Sequence, residues 1–143
     1  MLTPEARSNP PGFVSVLLIS PLADDHLSLR QIFDNWNWNL HIVSTCSEAL
    51  AHTSQHESQV VICERELPDG DWKLLLNEFQ SLPVPPTLIV TSRLADDRLW
   101  AEVLNLGAYD VLAQPFDSVE VKRVVFLAWH ERWWRSRQRQ GQS

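Results

Sequence analysis

The chain has 143 residues, 44% of them hydrophobic, and a formal net charge of −6. That length suits a single domain with a genuine core, and the composition excludes a disordered chain. No apolar run approaches the ~20 residues of a membrane helix, and the N-terminal Met1-Leu2-Thr3-Pro4-Glu5-Ala6-Arg7 has no apolar core of a signal peptide, so a cytoplasmic protein without a membrane partner is expected.

Pro4, Pro10, Pro11 and Gly12 mark residues 1–12 as a flexible leader. Phe13 to Ser20 is almost continuously apolar, as in a central parallel strand, and Pro21 ends it. Ala23 to about Trp36 carries Leu27, Leu29, Ile32 and Phe33 at helical spacing, with Asp24 and Asp25 in the first turn. A turn with Trp36 and Trp38 leads to a second strand at Leu40–Ser44 and a short helix from Ser47 to about Ser54.

Val60-Val61-Ile62-Cys63-Glu64 is a third buried strand that delivers a carboxylate to the sheet's C-terminal edge, where open α/β sheets build their sites. A helix from Trp72 to Leu82 ends at Pro83, Pro85 and Pro86, before a fourth strand at Thr87–Thr91. Ala95–Leu106 is a helix stopped by Gly107, Tyr109–Ala113 the fifth strand, and Asp117-x-x-Glu120 a capping box opening a long last helix. Five strand–helix alternations with short connections predict an α/β fold: a doubly wound five-stranded parallel sheet of flavodoxin-like order 2-1-3-4-5, helices on both faces, over residues 13–135.

Residues 122–143 hold Lys122, Arg123, Arg132, Arg135, Arg137 and Arg139 against Glu131, a local charge of +5 that leaves −11 on the rest. Residues 136–143 read as a basic tail. Cations also favour helix C-termini, and no reader module accompanies the tail, so a nucleic-acid partner is not expected. Cys46 and Cys63 have no C-x-x-C spacing and read as reduced and structural. His52 and His56 share a helix face at i, i+4 but lack an evident third ligand, so no metal site is predicted.

From Val14 to about Trp134 the chain resembles a response-regulator receiver domain. The resemblance rests on Glu64-Arg65-Glu66-Leu67-Pro68-Asp69-Gly70, on Leu88-Ile89-Val90-Thr91-Ser92, and on Gly107 through Asp117 with its Gln114-Pro115. It implies a module of a two-component phosphorelay, CheY-like, whose chemistry is phosphoryl transfer from a histidine kinase to an aspartate aided by Mg²⁺ and a lysine. In this sequence the acceptor position holds Glu64, the lysine position Gln114, and the acidic pair's positions Ser20 and Pro21, while Asp24 and Asp25 fall some three to four residues too late. Only Thr91, the hydroxyl position, matches the pattern. A carboxylate without its cations would develop charge with nothing to offset it, at a cost of about 10²-fold per missing partner.

The expectation is therefore a stand-alone pseudo-receiver, not an enzyme, with a degenerate pocket of Glu64, Ser20, Pro21, Thr91, Gln114 and Pro115 and no Mg²⁺ or other cofactor. Gln114 remains able to donate an amide hydrogen bond to Glu64. Trp100, Tyr109, Phe126, Trp129 and Trp133 form the expected interaction face, which the resemblance places on helix 4, strand 5 and helix 5, for a histidine kinase, a downstream regulator or a second copy. The alternatives are an active phosphoacceptor with unusual residues and a nucleic-acid-associated regulator acting through the tail.

Overall fold

A computed structural model of the protein describes residues 14–34, 36 and 38–141. Five parallel strands, β1 (Ser15–Ile19), β2 (Asn39–Val43), β3 (Val60–Glu64), β4 (Thr87–Ser92) and β5 (Asp110–Ala113), form one sheet in the order β2-β1-β3-β4-β5. The predicted leader lies outside the described residues. The helices are α1 (Ala23–Asp34), α2 (Cys46–Gln55), α3 (Trp72–Phe79), α4 (Asp97–Leu106) and α5 (Ser118–Gly141). The predicted basic tail is thus helical through Gly141.

Strand alternation divides the core in two. Leu17, Ile19, Val61, Cys63, Val90 and Val111 face α2, α3 and α4, packing with Ala49, Trp72, Leu75, Phe79, Leu99 and Val103. Val16, Leu18, Val60, Ile62, Ile89 and Leu112 face α1 and α5, packing with Leu29, Phe33, Val121, Val124, Val125 and Ala128. Being covered on both sides, β1, β3 and β4 need the unbroken apolar runs that announced them.

The first helix departs from its predicted face. Leu27 is exposed, whereas Asp25 is buried together with Leu29 and Phe33. Asp25, Leu29 and Phe33 fall at i, i+4 and i+8, one stripe of the helix, so the turn that brings the two apolar residues to the sheet also brings the carboxylate in.

After β3 the chain folds into a two-residue antiparallel ribbon that pairs Glu66–Leu67 with Gly70–Asp71. The Asp69 carboxylate accepts from the amides of Cys46 (2.7 Å) and Ser47 (3.0 Å), holding this turn against the N-terminus of α2. These amides hold the Asp69 carboxyl below its ordinary value. Asp71 caps α3, accepting from Lys73 and Leu74. The close approach explains Gly70: an added Cβ would lie 2.9 Å from Cys46 Sγ and 3.2 Å from Leu74 Cδ1. Gly107, by contrast, has open space but a φ of 102°, which only glycine adopts without strain.

Two glycine substitutions separate the two reasons for glycine. Gly70→Ala is expected to lower stability by about 1–3 kcal/mol through overpacking, partly recovered by Cys46→Ala in the same chain. Gly107→Ala is expected to cost about 1–2 kcal/mol from backbone strain alone, with no recovery by Cys46→Ala. Urea unfolding of the four variants checks both.

Candidate functional site

The C-terminal edge of the sheet collects the polar groups. Glu64 ends β3 and is paired in register with Thr91 of β4. Ser20 follows β1, Asp25 sits in the first turn of α1, and Gln114 follows β5. Ser20 is fully buried, Asp25 nearly so, and Glu64 half-buried.

One neutral amide joins the two acids. Gln114 Nε2 donates to Glu64 Oε1 at 2.7 Å and to Asp25 Oδ2 at 2.9 Å. Ser20 Oγ also donates to Asp25 Oδ2, at 2.8 Å, and itself accepts from the amide of Leu22 at 3.1 Å. Asp25 therefore belongs to the pocket, contrary to the expectation that both Asp24 and Asp25 lie too late in the chain. A helical turn brings position 25 back over the end of β1, and the Ser20 hydroxyl fixes it there. Asp24 and Pro21 are exposed.

The predicted Glu64–Gln114 hydrogen bond is present. Thr91 is buried, but its hydroxyl donates to the Leu112 carbonyl at 2.8 Å, so its proton is committed to the β4–β5 pair and not to Glu64. Pro115 is exposed and borders a cavity of about 380 Å³ together with Asp25, Gln114, Phe116 and Arg93. Arg93, two residues beyond Thr91, escaped sequence reasoning. Its charge acts on both carboxylates, and His26 adds to it at Asp25.

Burial pushes the carboxyl of Asp25 above its ordinary value, against the opposing pull of the Ser20 hydrogen bond and of Arg93. Burial also raises Glu64, assisted by the Asp25 charge, while the Gln114 amide partly offsets it. Both carboxylates are thus less comfortable ionised in the folded chain than in the unfolded one.

Three histidines form a stack. His41 of β2 lies 4.2 Å from His52 between ring centroids, and His52 lies 4.9 Å from His56. Face-to-face rings keep their nitrogens in near-parallel planes, and among the described residues no group of three His, Cys, Asp or Glu is arranged to hold a metal ion. Cys46 and Cys63 are free and buried, with burial and Asp69 raising the Cys46 thiol to about 11. Neither is a thiolate at neutral pH.

Of the five predicted interaction residues, Phe126, Trp129 and Trp133 form one run of rings along α5, with His130 between the two tryptophans. Phe126 and Trp129 join Trp38 at 6.4 and 5.9 Å, and Trp38 stacks on Trp36 at 4.4 Å, so these rings bind α5 to the α1–β2 connection. Trp133 stacks on His130, with Arg137 over its ring. Tyr109 packs on the α1–α5 core, and Trp100 stands apart on α4, 38% exposed.

A doubly wound sheet of this order builds its site at the C-terminal ends of the strands, where a carboxylate stands at the end of β3, and signal receiver domains are one class with that fold. The family model of the response regulator receiver domain matches residues 22–126, and the chain belongs to that family. It is 25% identical over 107 residues to the transcriptional regulatory protein ZraR of Salmonella typhimurium, a match covering 74% of this chain and 24% of that protein. The chain thus spans about a quarter of the length of the curated relatives it matches. Among solved structures it is similar to the signal receiver domain of an HD domain-containing protein from Pseudomonas fluorescens, with a TM-score of 0.76, 25% identity, and 85% of this chain and 98% of that one covered. The receiver domain of a putative Luxo repressor protein from Vibrio parahaemolyticus (TM-score 0.80, 19% identity, 87% and 96% covered) and a CheY-like receiver from Methanospirillum hungatei (0.71, 20%, 85% and 97%) share the fold.

The carboxylate pair yields a pH prediction. Because both folded-state pKa values are raised, each group binds its proton more tightly in the folded chain. Their contribution favours folding at pH below the ordinary values of 3.8 and 4.5 and is lost as pH rises through the raised ones. Glu64→Gln is therefore expected to stabilise the protein at neutral pH, by no more than about 1 kcal/mol because the pair is partly solvated. The gain over the parent should shrink as pH falls through the carboxylate range. Denaturant unfolding at a series of pH values reads this directly, and a loss of stability at neutral pH would contradict it.

Proposed function

We propose that this receiver acts in two-component signalling without phosphoryl transfer, as a module held in one state whose output is protein contact. The observation that carries this reading is the Gln114 amide, which donates to both carboxylates from the position where the resemblance implies a lysine. It supplies two hydrogen bonds but no formal charge. Glu64 then serves as a fixed carboxylate that partly stands in for a modified acceptor, with one charge where a phosphoryl group carries nearly two.

The donor set also speaks against Mg²⁺, which takes oxygen ligands in a near-octahedral shell. An N–H group occupies the space between Asp25 and Glu64, and Ser20 gives its hydroxyl proton to Asp25. A cation would have to displace these donors from a pair of carboxylates already depressed in their readiness to ionise.

Contact is proposed through the face of α4, β5 and α5, with a histidine kinase, a downstream regulator or a second copy as partner, in the cytoplasm. Trp100 and Leu104 offer exposed apolar surface on α4. Arg132 and Arg135, which suggested nucleic acid in the sequence, bond to Glu57, the Val84 and Pro85 carbonyls and Thr87, which leaves less of the basic segment for phosphates.

Amide NMR in the presence of Mg²⁺ and beryllium fluoride tests the first part. The expected outcome is no saturable shift at Glu64, Asp25, Thr91 or Gln114; a saturable response focused there would establish an active acceptor. Sedimentation of the chain and of Trp100→Ala tests self-association. Dimerisation weakened about tenfold by the substitution is expected for a central aromatic contact, and a chain that stays monomeric removes the homodimer.

A further inference from the structure

At the opposite end of β3 from Glu64 lies a cavity of about 310 Å³, within the size range of small-molecule sites. Its walls come from the C-terminal end of α2, the residues leading into β3, the α3–β4 connection and α5. Leu82, Val84 and Pro86 make one side apolar. The other side carries Ser58 and Arg132, only 5% and 6% exposed.

Both of these residues hold a buried donor with no partner among the described residues: the Ser58 hydroxyl and Arg132 Nε. Buried polar groups are ordinarily hydrogen-bonded, and here two residues that line one cavity each leave a polar atom unpaired. The guanidinium of Arg132 is otherwise engaged through Nη2. Its Nη2 donates to Glu57 Oε2 at 2.7 Å and to the Val84 carbonyl at 3.0 Å. Glu57 is itself 66% exposed in its side chain while that of Arg132 is 7% exposed, so Glu57 is the partner that can leave, provided another anion takes its place on the guanidinium.

We propose that this cavity binds a small monocarboxylate with a compact apolar body. The carboxylate accepts from Arg132 and Ser58 in competition with Glu57, and the body rests on Leu82, Val84 and Pro86. A single buried cation matches one negative charge; a phosphate, with nearly two charges and more acceptor oxygens, would be under-satisfied there. The site is independent of the Glu64 pocket and gives the module a chemical input on the helix that also carries its aromatic face.

The test is an NMR titration of the full chain with benzoate, following the Arg132 Nε–H and the Ser58 and Val84 amides, with benzamide and inorganic phosphate as controls. Benzoate should give saturable shifts at these groups, and benzamide and phosphate should bind at least tenfold more weakly. Glu57→Gln, with its folding checked by denaturant unfolding, should tighten benzoate several-fold by removing the competing carboxylate. Ser58→Ala should weaken it several-fold. The proposal is overturned if benzoate fails to saturate at millimolar concentration, since the cavity then holds only water. Equal shifts with benzamide, equal binding of phosphate, or a Glu57→Gln affinity no tighter than the parent's would overturn it as well.

Discussion

A parallel sheet buried on both faces can place polar side chains only at the ends of its strands. In this protein β1, β3 and β4 are apolar along their length because helices cover both sides, and every strand runs in the same direction. Charge is therefore sorted to two rims. The C-terminal rim holds Glu64, Asp25, Ser20, Gln114 and Arg93, and the opposite rim holds Ser58, Glu57 and Arg132. Both sites discussed above follow from that constraint.

The two rims solve the burial of charge differently. At the C-terminal rim two carboxylates meet a neutral amide, a hydroxyl and a more distant arginine, so the negative charge is hydrogen-bonded but only partly balanced. At the other rim a guanidinium is almost fully enclosed, with a carboxylate reaching it from the surface. The first arrangement shares one neutral donor between two acids, and the second leaves an enclosed cation dependent on one exposed acid.

The last helix serves both rims and the surface between them. Val121, Val124, Val125 and Ala128 pack on the sheet, Phe126 and Trp129 clasp Trp38, and Arg132 and Arg135 tie the lower loops to the helix. Of the tryptophans expected on one docking surface, Trp129 is engaged in holding α5 against the α1–β2 connection, together with Phe126. Their large area and flat shape suit that covering role as well as they suit recognition.

Periodicity along the chain was enough to determine the five alternating units and the carboxylate at the end of β3, because an apolar run and its turn residues are local properties, and the expected sheet order was the usual arrangement of five such units. The replacement of the implied lysine by Gln114 was likewise readable, as was its bond to Glu64. Asp25 was within reach too, since it shares the i, i+4, i+8 stripe of Leu29 and Phe33, but the more apolar Leu27 drew the predicted face away from it. Only tertiary structure decided that the Thr91 hydroxyl turns to Leu112, that Trp38 covers Phe126 and Trp129, and that Ser58 and Arg132 meet around one cavity. These pairings join residues far apart in the chain, and their geometry is set by how the helices pack on the sheet.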